Sequence, residues 1–250
     1  MELRQKIQSI QNLIRVENFT SAITNCKKLL KKYPNNSYIY NLCGLALQGE
    51  GKIPESIEFF SIAIHHEPEN LAAMNNLANS FKAIHKLDKA EQLYARIIEK
   101  DTQNLKALNN YGNLKQTLND FEGAIELYLK AIKINPEEIN ILFSLASSYQ
   151  IIGNFEKSKA YADKVLILNS KYTSAHKLIS GFTNYKKEEN KKHLNLMEIL
   201  SKDNSLDKGQ KVDLFYALGK AYEDIKDYQN SFRYLKEANF LKKKHTKYQL

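Results

Sequence analysis

Asparagine is the side chain whose spacing in this sequence points most directly to chemistry. Seven asparagines each have a counterpart 34 residues away: Asn41, Asn75, Asn76, Asn79, Asn109, Asn110 and Asn113. A carboxamide has two N–H donors and an acceptor, so a row of them can bind the backbone of an extended peptide whatever its side chains. We predict a peptide-binding row, in which replacement by alanine costs affinity and little stability. The open alternative is that asparagine is merely plentiful here and tolerated on a polar helix surface.

Other residue types give no comparable pattern. Motifs for phosphate-binding loops, dinucleotide folds and zinc sites are absent from the sequence. His65 and His66 are adjacent, and neighbours on a helix do not face the same metal. Cys26 and Cys43 are the only cysteines, and their apolar positions predict buried, reduced thiols. We therefore expect a non-enzyme with no catalytic residue, no bound metal and no cofactor.

The net charge of +9 raises the question of a nucleic-acid or membrane partner. Lysines are spread along the chain and mostly alternate with acids, and only residues 186–192 and the tail with Arg233, Lys242, Lys243, Lys244 and Lys247 are denser. This pattern favours solvated helix faces over a polyanion site. The sequence has no apolar run of transmembrane length and no signal peptide at its charged N-terminus, so we expect a cytoplasmic protein.

The asparagine row requires a repeated element to position it. Pro34, Pro68 and Pro136 are spaced by 34 and twice 34 residues. Five frames follow one another without insertion, at 3–36, 37–70, 71–104, 105–138 and 139–172. A degenerate unit at 173–211 and a seventh at 212–245 complete a single predicted domain over 1–250.

Within each frame the apolar spacing is helical, and small residues recur at two fixed places. The eighth place carries Gly44 or Gly219, and the twentieth carries Ser56 or Ser231. We expect two helices to approach most closely at these places, because a larger side chain would overpack the contact.

The last two units are less regular. We predict helices over 173–186 and 193–200, an N-cap at Ser205 and a final unit from about Val212. Four apolar residues near the end need covering: Phe232, Leu235, Phe240 and Leu241. A homodimer is one arrangement that would cover them.

The 34-residue period with this pattern is identified as that of tetratricopeptide (TPR) repeats. The resemblance implies an all-α fold, a right-handed α-solenoid of about seven helix-turn-helix repeats whose first helices line a concave groove. Such arrays mostly bind peptides or proteins in that groove.

Two narrower resemblances concern function. Residues 214–224 and 227–239 resemble the terminal repeat of bacterial TPR-sulfotransferases, although the 250 residues contain no sulfonucleotide-binding unit. Residues 74–79 and 108–113 resemble the groove of O-linked N-acetylglucosamine transferase, where asparagines hold a peptide backbone. The lysine, asparagine and arginine set of chaperone-binding TPRs is not matched.

The leading hypothesis is therefore a scaffold that binds a peptide or protein partner in its concave groove. The alternative is the recognition region of a TPR-sulfotransferase, and the reading frame after Leu250 would distinguish the two. A third hypothesis, binding of nucleic acid or anionic membrane by the basic tail, predicts a steep loss of affinity with salt.

Overall fold

The computed structural model describes the backbone of residues 2–245 and the side chains of residues 2–243. Over these residues the chain forms fourteen α-helices and no β-strand, as the all-α prediction requires. The helices are α1 (Glu2–Arg15), α2 (Phe19–Lys32), α3 (Ser37–Gly49), α4 (Ile53–His66), α5 (Leu71–Ala83), α6 (Leu87–Lys100), α7 (Leu105–Thr117), α8 (Phe121–Ile134), α9 (Ile139–Ile151), α10 (Phe155–Leu168), α11 (Thr173–Phe182), α12 (Lys191–Ser201), α13 (Lys208–Asp224) and α14 (Tyr228–His245).

Two compact units divide the chain after Asp120. Met1–Asp120 contains α1–α7, and Phe121–Leu250 contains α8–α14. Each unit has its own buried clusters, such as that of Ile10, Cys26 and Ile39 in the first and that of Leu214, Tyr234 and Ala238 in the second. A single domain over 1–250 stays a prediction.

Asparagines are the N-cap residues of α3, α5 and α7, each of which is the first helix of its pair. The side-chain oxygens of Asn36, Asn70 and Asn104 accept the N–H of the residue three positions later, over 3.0, 2.9 and 3.0 Å. Each bond satisfies a donor that the first turn of a helix leaves without a partner. Part of the asparagine content of this chain therefore serves helix capping.

The turn inside each regular pair has one residue in the left-handed region. This residue holds the fifteenth place of its frame in six pairs: Glu17, Gly51, His85, Asn119, Gly153 and Lys226. The next residue closes a bond to the carbonyl five positions back, as from Lys86 N–H to Phe81 O over 2.9 Å. This is the bonding of a Schellman motif, which prefers glycine at the left-handed residue. Four of the six residues are not glycine, so the tertiary fold imposes this conformation on them.

The small residues do mark the closest contacts between paired helices. A Cβ added to Gly44 would lie 2.5 Å from Cε1 of Phe60 on α4. A Cβ on Gly219 would lie 2.6 Å from Cδ2 of Leu235 on α14. The twentieth-place Ser231 donates its hydroxyl to the Gly219 carbonyl over 2.8 Å. The expected close approach is confirmed, and a side chain of the second helix fills the space beside each glycine.

The irregular region differs from the sequence prediction at its helix boundaries and at one N-cap. Helix α11 ends at Phe182 rather than 186, and a short 3-10 turn, Glu188–Asn190, precedes α12. Helix α13 begins at Lys208, before Val212, and its N-cap is Asp207 rather than Ser205. Asp207 and Gln210 form a reciprocal capping box, which satisfies two backbone donors where a serine alone would satisfy one.

Candidate functional site

The predicted asparagine row lies on α3, α5 and α7 of the first unit, and part of it joins these helices together. Asn76 donates its Nδ2–H to Asn41 Oδ1 over 2.9 Å. Asn110 donates to Asn75 Oδ1 over 3.0 Å. Asn41, Asn75 and Asn76 are only 5%, 3% and 5% exposed. These carboxamides bond neighbouring first helices to each other, so they do not form the wet surface that the sequence suggested.

Asn75 is the exception within this buried set. Its oxygen accepts from Asn110, but its Nδ2 has no hydrogen-bond partner among the described residues. A buried amide donor without a partner costs about 1–3 kcal/mol. Asn75 is therefore a buried member of the row whose amide donor has no partner among the described residues.

Three partly exposed members of the row lie beside the bonded carboxamides or one turn further along the helices. Asn79 on α5 and Asn109 and Asn113 on α7 are each partly exposed. Asn79 accepts a hydrogen bond from the buried Tyr94 hydroxyl over 2.6 Å, which fixes its oxygen and directs its amide N–H groups elsewhere. We call the set of Asn79, Lys82, Asn109, Asn113 and Gln116 the carboxamide face.

Lys82 is the member that the sequence reasoning missed. It lies three residues after Asn79, at the twelfth place of its frame, where the frames before and after it have Gln48 and Gln116. It is half-buried and forms no ion pair or hydrogen bond within the described part of the chain. Burial lowers the pKa of its ammonium group. Its place in a row otherwise made of amides could have identified it.

The charged residues of α3, α5 and α7 also show that Lys82 lacks a counter-ion on these helices. Helices α3, α5 and α7 contain no aspartate or glutamate, and Lys82, Lys106 and Lys115 are their only charged residues. Lys115 pairs with Glu91 and Asp120 over 2.8 and 2.9 Å. Lys82 is thus a cation that the surrounding first helices leave uncompensated.

A second polar cluster, also missed, lies in the degenerate sixth unit. Tyr185 Oη and His193 Nδ1 are 2.7 Å apart, His193 Nε2 and His176 Nδ1 are 2.9 Å apart, and His176 Nε2 is 2.9 Å from the Ser170 carbonyl. The carbonyl can only accept, so His176 carries its proton on Nε2, His193 donates from Nε2, and the tyrosine donates to His193. Burial lowers the pKa of both imidazoles, that of His193 to about 4.

The remaining candidate groups are structural. Cys26 and Cys43 are fully buried free thiols, and the pKa of Cys26 is raised by its hydrogen bond to Cys43 and by burial. Among the described residues, no three His, Cys, Asp or Glu side chains are grouped so that they could hold a metal ion. Within the same residues, no helix is both long and apolar enough to cross a bilayer.

Helix pairs of this length, joined by Schellman turns and packed at small residues, define an α-solenoid of the TPR class. Family models agree: residues 4–115 match the Psidin N-terminal TPR repeats region, residues 112–153 match a TPR repeat, and residues 139–172 and 212–245 each match a tetratricopeptide repeat. Tetratricopeptide repeats are therefore recognised over residues 4–172 and 212–245. Repeats of this class are typical protein-interaction modules and are typically non-enzymatic.

Solved structures show the same fold. The C-terminal part of a TPR repeat-containing protein from Cytophaga hutchinsonii is 17% identical with a TM-score of 0.72, over 94% of this chain and 95% of that one. A tetratricopeptide repeat protein from Parabacteroides merdae is 15% identical with a TM-score of 0.67, over 95% and 92%. Pseudomonas aeruginosa pilF is 20% identical with a TM-score of 0.65, over 85% and 93%.

The comparisons with curated proteins and with known families also bear on the sulfotransferase hypothesis. No curated protein matches this chain. The matched families and structures do not support the similarity to TPR-sulfotransferases.

Proposed function

We propose that this protein is a TPR scaffold that holds an extended, acidic segment of a partner protein on the carboxamide face of its first unit. The observation that carries the proposal is Lys82, a half-buried cation without a counter-ion among the described residues, next to half-exposed carboxamides. A cation in this setting favours a carboxylate ligand, because the charge is already partly desolvated and no acid on α3, α5 or α7 competes for it.

In this proposal the carboxamides bind the backbone of the partner segment, while Lys82 binds one of its acidic side chains. Asn79, Asn109 and Asn113 are spaced along two neighbouring first helices, so they can bond the backbone of a segment that crosses both helices. The backbone contacts are independent of the partner's side chains, whereas the contact with Lys82 selects an acidic residue. The carboxamides would thus provide affinity for the peptide backbone, and Lys82 would provide selectivity for an acidic side chain.

The test begins with selection of binders from a displayed library of random peptides on the intact chain. We expect the selected peptides to be enriched in aspartate and glutamate. A hydrogen bond to a charged group contributes about 1.5–3 kcal/mol, so Lys82→Ala should weaken binding roughly tenfold or more. The triple variant Asn79→Ala, Asn109→Ala, Asn113→Ala should weaken binding of the same peptides.

The matched control is Lys130→Ala, which removes an exposed lysine from α8 in the other unit. Fluorescence anisotropy with the selected peptides compares the four proteins after circular dichroism has shown that each is folded. Equal affinity for the wild type, Lys82→Ala and the triple variant would refute the proposal. So would selected peptides without acidic residues.

A further inference from the structure

Lys82 occupies a place on the first helices where the neighbouring frames have amides. Gln48 on α3 and Gln116 on α7 hold the twelfth place in the frames before and after it. Gln48 donates its Nε2–H over 3.3 Å to the hydroxyl of Ser80, which lies at the tenth place of the next frame. The tenth place of the frame after Lys82 is the buried Leu114, whose side chain forms no hydrogen bonds. The ammonium group therefore lacks the partner that Gln48 finds in the next helix.

The surroundings of Lys82 also differ from those of Lys115, the other half-buried lysine on these helices. Glu91 and Asp120 accept hydrogen bonds from Lys115, which raise the pKa of its ammonium group. Burial lowers the pKa of Lys82, and no carboxylate among the described residues opposes that effect. A lower pKa leaves more of the lysine as the neutral amine, and the neutral amine is the nucleophile.

A hydrogen-bond donor lies one turn before Lys82 on the same face of α5. This donor is the amide of Asn79, whose oxygen accepts from the Tyr94 hydroxyl over 2.6 Å. When an amine attacks a carbonyl group, negative charge develops on the carbonyl oxygen, and amide N–H groups stabilise this charge. The half-buried amine thus has a group beside it that favours reaction with a carbonyl compound.

We propose that Lys82 is a site of acylation by small acyl phosphates, whose negative charge no acid on α3, α5 or α7 repels. The neutral Nζ attacks the carbonyl carbon and forms an N–C bond. The bond from that carbon to the phosphate oxygen breaks, phosphate leaves with the bonding electron pair, and Nζ releases one proton to water, so no oxidant or reductant is needed. The product is an uncharged amide, the group that Gln48 and Gln116 already place at this position of their frames.

Acylation would remove the charge that selects acidic segments. Acylated chain should therefore bind the selected acidic peptides roughly tenfold or more weakly, as Lys82→Gln should without treatment. Lys82→Arg cannot be acylated at this place, because a guanidinium group stays protonated, so treatment should not change the affinity of this variant. This consequence rests on the proposed function, whereas the acylation of Lys82 does not.

Site-resolved acetylation tests the proposal. The intact chain is treated with acetyl phosphate at pH 8, and peptide mass spectrometry follows the occupancy of Lys82, Lys115 and the exposed Lys130 with time. We expect Lys82 to react at least about threefold faster than either of the other two. The advantage should disappear in chain unfolded by urea, because burial is its cause. Lys244 and Lys247 of the basic tail lie outside the described side chains, so they are not reference lysines.

Equal rates at Lys82 and Lys130 in the folded chain, or an advantage of Lys82 that persists in urea, overturn the proposal. Selective acetylation of Lys82, in a chain whose selected peptides bind equally well to Lys82→Ala, supports the acylation site and refutes the proposed function. Weaker peptide binding by Lys82→Ala without selective acetylation supports the proposed function and refutes the acylation site. The two proposals can therefore fail separately.

Discussion

The network of the buried His176 and Tyr185 with the partly buried His193 should make the second unit sensitive to mild acid. The pKa of His193 falls from an ordinary value of 6.5 to about 4 in the folded chain, chiefly because burial disfavours its charged form. Between these values the unfolded chain binds the proton and the folded chain does not. The stability contributed by the neutral imidazole is therefore present above pH 6.5 and is lost as the pH falls towards 4.

The magnitude follows from the two pKa values. A difference of about 2.5 units corresponds to roughly 3 kcal/mol when fully expressed, and to about 2 kcal/mol between pH 7 and pH 5. His176 adds to this loss, because burial lowers its pKa as well. Asp163 of α10 raises the pKa of His193 and Lys159 of the same helix lowers it, so these two charges oppose each other, and Asp224 of α13 raises the pKa of Tyr185. Glu91 and Asp227 have lowered pKa values in the folded chain, so their titration changes the free energy of unfolding little between pH 7 and pH 5.

Urea unfolding followed by circular dichroism at pH 7, 6 and 5 measures this loss. The wild type should lose about 2 kcal/mol from pH 7 to pH 5, whereas His193→Gln should start lower at pH 7 and show a shallower dependence on pH. His85→Gln, at an exposed histidine, should keep the wild-type slope. An equal slope for the wild type and His193→Gln would refute the assignment of this partly buried histidine as a neutral group.

Three further substitutions probe the packing and the asparagine row. Gly44→Ala should lower the free energy of unfolding by about 1–3 kcal/mol, because its Cβ would overlap the buried Phe60 ring; an unchanged melting temperature would show that the ring can move aside. Asn76→Ala should cost about 1–2 kcal/mol, because it leaves the buried oxygen of Asn41 without a donor, whereas Asn109→Ala on the half-exposed part of the row should cost little. Thermal melts compare the two variants, and equal losses would contradict the division into buried and half-exposed asparagines.

The sequence predicted the helices well wherever the 34-residue period holds, because the period places the same side chains against the same neighbours in every pair. It did not reveal that Asn76 and Asn41 bond to each other. That bond depends on how two first helices approach across a repeat boundary, which spacing alone does not determine. The alternative of a tolerated polar surface also fails for these residues, since they are buried.

The contacts of the degenerate sixth unit could not be predicted from the 34-residue period. His176 and His193 are 17 residues apart in a region without the regular period, and the early end of α11 at Phe182 brings Tyr185 inward to meet them. The 34-residue period does not repeat this set of two histidines and a tyrosine in another unit, so spacing could not predict this cluster. Ser205 was likewise a reasonable cap by residue type, but the pairing of Asp207 with Gln210 decided the position of the helix start.

The left-handed turn residues suggest a use for this protein as an engineering template. Glu17, His85, Asn119 and Lys226 adopt a conformation that costs most L-residues about 1–2 kcal/mol, partly offset in the unfolded chain by the lower entropy of any residue other than glycine. Contributions of separate repeats are nearly additive in proteins of this kind. Glycine introduced at one, two, three or four of these turns would therefore give a graded series of scaffolds that share one carboxamide face and differ in thermal resistance. Such a series would vary the thermal stability of the scaffold without changing the residues of the carboxamide face.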